Sequence, residues 1–299
     1  MTDSRDLCLT ITTGRSGSTY LHNLFTHNYP EQRGILHESL HPRLAKPALH
    51  HRRFDASALE DPNLRRHFDA LDALREHGQV VDFGWVLGAL APALVQRYGE
   101  RLRVLLLTAH PVSVAASFAN RGHYTRNRGR SWAISPFHDN ARFQEYQSRW
   151  PAMSPFERGL FRWLEITSLG REFRERHPEV PVLAIRSDEL FADPALAARV
   201  AEFVGLPPRE LDFDVPKNEA ASHHVERRPV GEEWRRVFDM PEVMALAETM
   251  GFDMRPENVA RIVSRYQLHG WLAKLRHATG YWTMREHLGR WRARARMPS

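Results

Sequence analysis

The sequence predicts an α/β fold in which a parallel sheet is flanked by helices on both faces. Three observations predict it. Short runs rich in apolar and β-branched residues, such as Leu7 to Thr13 (LCLTITT) and Leu102 to Thr108 (LRVLLLT), are bounded by turn signals. Segments of helical period lie between such runs. No internal repeat or low-complexity linker breaks the alternation, so one domain is the economical reading.

The elements follow in order. Leu7 to Thr13 is the first strand, closed by Gly14. From Ser18 the period changes, with Leu21, Leu24 and Phe25 on one helical face. Arg33 to Glu38 (RGILHE) reads as the second strand, and residues 56 to 77 as a polar-faced helix. Gln79 to Phe83 is the third strand, followed by a helix over Leu87 to Tyr98 that tolerates Pro92 in its first turns. Leu102 to Thr108 is the fourth and clearest strand, with a helix over Val112 to Ala119 behind it.

Residues 122 to 155 lose the periodicity and read as a long loop rich in arginines and aromatics, Arg126, Arg128, Arg142, Trp132 and Tyr146 among them. Such a loop suits an anionic or aromatic acceptor, or simply a solvated basic surface. A helix over about Glu157 to Arg176 and a strand over Val180 to Arg186 follow. Pro194 opens a helix to Val204, with Gly205 as its stop. The chain thus divides into an α/β domain over 1–255 and a helical, basic, Trp-rich appendage over 256–299 packed on the core.

Composition narrows the function classes. The chain has 299 residues, 42% of them hydrophobic and 26% charged, as a folded globular protein should. A net charge of +6 suits anionic ligands such as nucleotides, without requiring them. Cys8 is the single cysteine, so there is no intramolecular disulfide and no thiolate cluster. The polar start and the lack of any apolar run near ~20 residues give an expectation of a cytoplasmic protein. Adjacent His223 and His224 chelate one ion poorly, so no metal is expected.

The chemistry points to Gly14-Arg15-Ser16-Gly17-Ser18-Thr19, between a buried strand and a helix. Glycines let the backbone turn tightly onto a ligand, and helix N-terminal amides face bound oxygens. Ser16, Ser18 and Thr19 add hydroxyls, and Arg15 adds a fixed planar cation. The bland alternative is a strand-to-helix turn with a serine cap. A Walker A loop would need G-x-x-x-x-G-K-[ST], and a dinucleotide fingerprint G-x-G-x-x-G; neither occurs here.

The stretch TTGRSGSTYLHNLF (12–25) resembles the 5′-phosphosulfate loop of the sulfotransferase family, in its arginine-bearing version found in carbohydrate, protein-tyrosine and many bacterial members. LRVLLLTAHPVSVAASFANRG (102–122) is similar to the strand–turn–helix that holds the donor's 3′-phosphate. VLAIRSDELFADPALAARVAEFVGLP (182–207) resembles the late strand, turn and helix of the same family. The resemblance implies a P-loop-NTPase-like parallel sheet and 3′-phosphoadenosine 5′-phosphosulfate (PAPS) as donor. By matching position, Arg15 would contact the sulfuryl group and the bridging oxygen, and Ser16 to Thr19 the 5′-phosphate, with Gly14 and Gly17 shaping the loop. Tyr20 would flank the adenine, and Ser117 would bind the 3′-phosphate. ERRPVGEEWRR (226–236) faintly resembles the late donor loop, which makes Arg227 and Arg228 candidate phosphate ligands, although Pro229 and Glu232 stand where glycines belong.

One position departs from the family. Where an Arg-Asp-Pro is expected after the fourth strand, this chain has Ala109-His110-Pro111, and the arginine that grips the 3′-phosphate is missing. His110 and Arg121 are the candidate replacements.

Sulfuryl transfer needs a proton acceptor and cations at the leaving phosphate. Arginine-loop relatives place a glutamate at the end of the second strand, and Glu38 fits that place. His37 and His41 are its rivals. The resemblance implies a sulfotransferase acting on a hydroxyl or amine of a small-molecule or carbohydrate acceptor. The alternatives are a same-fold transferase using another phosphorylated donor and a nucleotide-binding protein with degraded catalysis. Nothing reads as a nucleic-acid binder. The stretch Trp282 to Arg296 reads as a helix on the core or on a second copy, with a membrane-interfacial helix as the alternative.

Overall fold

The computed structural model describes residues 6–41, 59–121, 123–124, 134–215 and 232–266. Five strands form one sheet: β1 (Leu7–Thr12), β2 (Ile35–Leu36), β3 (Val80–Asp82), β4 (Leu102–Thr108) and β5 (Val182–Arg186). Their order is β2-β3-β1-β4-β5 and every pairing is parallel. β1 and β4 lie at the centre and are buried along their whole length. Their near-continuous apolar runs are what a strand covered on both faces requires.

Helices α1 (Ser18–Asn28), α2 (Pro62–Arg75), α3 (Trp85–Ala89), α4 (Ala91–Tyr98), α5 (Pro111–Asn120), α6 (Pro155–Arg176), α7 (Ser187–Ala192) and α8 (Pro194–Phe203) alternate with the strands. α9 (Pro241–Thr249) and α10 (Pro256–Ser264) follow. Odd positions of β1 (Leu7, Leu9, Ile11) pack with α2 to α4 and with Ile166, Leu169 and Phe173 of α6. Cys8, Leu105 and Leu107 face the other way, onto α1 and α8. A third apolar cluster joins α5, α6, α9 and α10. Gly159 lets α5 and α6 touch backbone to backbone, since a methyl there would stand 2.8 Å from Ala115 Cα.

Several boundaries differ from the sequence reading for local reasons. The second strand, expected over Arg33 to Glu38, pairs only at Ile35–Leu36, because Glu38 takes φ +52, outside the strand region. The helix expected over Leu87 to Tyr98 is two helices that meet at Leu90, just before Pro92, which has no N–H to continue the ladder. α6 starts at Pro155 because Ser154 and Glu157 form a reciprocal capping box. Within the expected long loop, short 3₁₀ turns occupy Gln144–Gln147 and Trp150–Ala152. Helix α7, unforeseen in the sequence, follows β5 directly.

The topology positions the site. From β1 the chain leaves toward β2 on one side, and from β4 it leaves toward β5 on the other. The carboxyl ends of β1 and β4 therefore flank a point where connections diverge, the usual ligand crevice of open α/β sheets. The loop 13–17 and the turn at Ala109-His110 both emerge there. Of the expected appendage, α10 packs Val259, Ile262 and Val263 onto the third cluster. Residues 267–299, which include Trp282 to Arg296, lie outside the described residues. Among the described residues, no helix is long and apolar enough to cross a membrane.

Candidate functional site

The loop after β1 is bent by its own backbone. Gly14, Arg15 and Gly17 have φ of 74°, 63° and 95°. Left-handed geometry is easy for glycine and unusual for arginine, and such alternations gather successive N–H groups around one point. Gly17 is also the N-cap of α1 and offers no side chain, so the amides of the first helical turn lack a side-chain cap. An eleven-residue helix with an uncapped, partly buried start can receive an anion.

The loop's hydroxyls divide by direction. Ser16 is 1% exposed and its hydroxyl is bonded to that of Thr12, so its backbone N–H is what it can offer a ligand. Ser18 Oγ and Thr19 Oγ1 lie 3.4 and 3.3 Å from His37 Nε2. His37, from the end of β2, thus sits against the loop, and burial lowers its pKa. Tyr20 is buried edge-on against Phe191, 5.0 Å between ring centroids. Phe191 is 56% exposed and its ring borders Gly17, which marks it as the aromatic surface next to the loop.

Three arginines converge here. Arg15 Nε donates to Ser117 Oγ of α5 at 3.0 Å. Burial, reinforced by the charge of Arg121, pushes the Arg15 pKa down to about 10. Arg121, at the end of α5, is lowered by burial too. Arg162 of α6 is 4% exposed. Its Nε donates to the Thr13 carbonyl at 2.8 Å, and its guanidinium lies 4.2 Å from the Trp85 ring centroid and 4.9 Å from that of Phe118. Among the described residues none of the three forms an ion pair with a carboxylate, although the Glu38 charge acts on Arg15 and Arg162. Desolvated cations held close together are stabilised by an incoming anion.

Glu38 is exposed and its charge reaches Arg15, which is bonded to Ser117, so residues from three parts of the chain act on one another here. His110 goes elsewhere. Its Nδ1 accepts the Val112 N–H at 3.3 Å as the N-cap of α5, and its Nε2 lies 3.1 Å from the Asp253 carbonyl. Both ring nitrogens are thereby used, whereas the charge of Arg121 acts on Arg15. Arg227 and Arg228 lie outside the described residues. Among the described residues, no group of three or more His, Cys, Asp or Glu could hold a metal.

The geometry can bind a multiply charged anion and offer a carboxylate beside it. Two solved sulfotransferase domains are similar to this chain. One comes from the curacin biosynthetic pathway: identity is 13%, coverage 83% of this chain and 98% of that one, and the TM-score 0.40. The other is from the Synechococcus PCC 7002 olefin synthase, with 14% identity, 83% and 95% coverage and a TM-score of 0.39. No protein-family model matches the chain, and no curated protein matches it.

Sequence reasoning missed Arg162, Trp85 and Phe191. For Arg162 a signal exists: it stands in Phe161-Arg162-Trp163-Leu164, a charge inside an apolar run of a buried helix. A charge there needs a compensating partner or a function.

Proposed function

We propose that the protein transfers a sulfuryl group from PAPS to a hydroxyl or amine of a small-molecule or carbohydrate acceptor. The Arg15–Ser117 hydrogen bond is the observation that carries the proposal. It joins the two segments whose sequences resemble the family's 5′-phosphosulfate loop and 3′-phosphate helix. In this reading the amides of 16 to 19 and the hydroxyls of Ser18 and Thr19 hold the 5′-phosphate. Arg15 stabilises charge gathering on the bridging oxygen, and removing one such contact costs ~10²–10³-fold in rate. Glu38 takes the acceptor's proton.

A second reading has one specific observation behind it. Ala109 supplies no charge where the family has arginine, and its carbonyl is occupied by the Trp163 indole N–H at 2.8 Å. A donor without a tightly held 3′-phosphate would suit that site. Radiolabelled PAPS offered with a panel of alcohols, amines and sugars tests the first reading. Label appearing in an acceptor supports it. Label transferred equally from adenosine 5′-phosphosulfate favours the second.

A further inference from the structure

Asp82 ends β3 and is fully buried; no arginine or lysine forms an ion pair with it among the described residues, and the titratable groups its charge acts on are His37 and His67. A buried carboxylate costs several kcal/mol unless donors satisfy it. Among the described residues its donors come from two backbone segments. One carboxylate oxygen accepts the Ser39 N–H at 3.0 Å and the Ser39 hydroxyl, and the other accepts the Gly84 N–H. Ser39 immediately follows Glu38, whose φ of +52 is rare for a residue with a side chain. Gly84 presses on the same residue: a methyl at 84 would stand 2.6 Å from Glu38 N, Glu38 Cα and Asp82 Oδ1. The turn that presents Glu38 is thus held by one carboxylate and shaped by the lack of a side chain at 84.

We propose that Asp82 is a positioning residue for the Glu38 carboxylate, acting through Ser39 while Gly84 keeps the two backbone segments in contact. The proposal rests on Glu38 being the base. It gives a physical reason for an unpaired buried charge and for a left-handed glutamate, which a plain loop anchor does not. Asparagine at 82 would preserve volume but turn an N–H₂ toward at least one of three donors, and the Glu38 turn would relax.

The test uses the full chain, PAPS, and water as acceptor. The water oxygen bonds to sulfur, one of its protons passes to Glu38 and the other to solvent as the sulfate ionises, and the bridging S–O electron pair leaves with the 5′-phosphate. Sulfate release is measured for wild type, Asp82→Asn, Glu38→Gln and the double variant, with 3′-phosphoadenosine 5′-phosphate (PAP) affinity alongside. Asp82→Asn is expected to slow release ~10-fold or more while PAP affinity stays within about threefold. In the Glu38→Gln background the same change should have no further effect, because residues acting as a unit are non-additive. Full additivity, or an unimpaired rate in folded Asp82→Asn, overturns the proposal. If Asp82→Asn does not fold, Ser39→Ala, which removes one donor from the same carboxylate, takes its place under the same criteria. If Glu38→Gln matches wild type, or neither releases sulfate, the base assignment has failed. The φ of Glu38 in a crystal structure of Asp82→Asn then decides separately: a negative value supports the positioning claim, and one still near +52 overturns it.

Discussion

Arg15 Nε donates to Ser117 Oγ at 3.0 Å, tying the loop after β1 to the helix after β4 across the carboxyl edge of the sheet. The bond spans 102 residues of sequence, and among the described residues Arg15 forms no ion pair with a carboxylate, although the charge of Glu38 reaches it. A guanidinium bonded to a serine rather than to an acid keeps its charge available to a ligand.

Replacing Arg15 should therefore cost function and spare the fold. Arg15→Ala is expected to lower transfer by ~10²-fold or more. Its melting temperature should stay within a few degrees of wild type, since Arg15 contributes to no apolar cluster. Turnover measured at saturating PAPS, with thermal melting alongside, checks both parts.

Glu38→Gln should bind PAP as wild type does and lose most turnover, because the amide keeps the shape and cannot accept the proton. His37 and His41 are the controls. A Glu38→Gln variant with full activity beside an inactive His37→Ala would move the base to His37, which already touches the loop hydroxyls.

Much of this site was legible from the chain itself. The glycines of the loop, the buried β1 and β4 and the order of the segments are local signals, and the fold follows them. Arg162 was not legible, because its role depends on α6 crossing under Thr13 between Trp85 and Phe118. The same holds for Asp82, whose partners at Ser39 and Gly84 meet only once β2 and β3 pair. His110 reads from sequence as a candidate replacement for the missing arginine, and while it caps α5 it also meets Asp253, a contact that only the fold creates.

The substitute for the missing arginine should be Arg121. Arg121→Ala is expected to weaken PAP binding by ~10-fold while leaving adenosine 5′-phosphosulfate little changed, as loss of one charge-assisted contact implies. Ala109→Arg should tighten PAP alone. Calorimetry with both nucleotides gives the comparison, and equal losses for the two would place Arg121 away from the 3′-phosphate.

Arg162→Met should separate fold from function. Methionine fills the space beside the two rings and removes a buried charge, which offsets part of the cost of the lost hydrogen bond, so melting should fall by no more than a few degrees. The Thr13 carbonyl loses its donor, and the loop its anchor, so PAP affinity should fall ~10-fold. A variant that melts early but binds normally would make Arg162 a purely structural residue.

Acid should destabilise the protein through its half-buried histidines. His37, His67 and His110 all have pKa values lowered by burial. The unfolded chain takes up their protons first as pH falls through ~6.5. Stability is then full above that value and is lost as pH falls toward the folded-state values. For His110 the reason is visible: its neutral Nδ1 accepts an N–H, and protonation would set donor against donor. Melting between pH 7.5 and 5.5 should drop in wild type and drop less in His110→Asn, whose side-chain oxygen can cap α5 at either pH.

The central claim is that the loop of Gly14 to Thr19 binds the phosphate of a sulfuryl donor, and calorimetric titration of PAP into wild type and Arg15→Ala tests it most directly. Saturable one-to-one binding in wild type, weakened at least ~10-fold in Arg15→Ala at unchanged melting temperature, is the predicted result. No saturable heat in wild type at millimolar nucleotide, or the same affinity in both proteins, would contradict it.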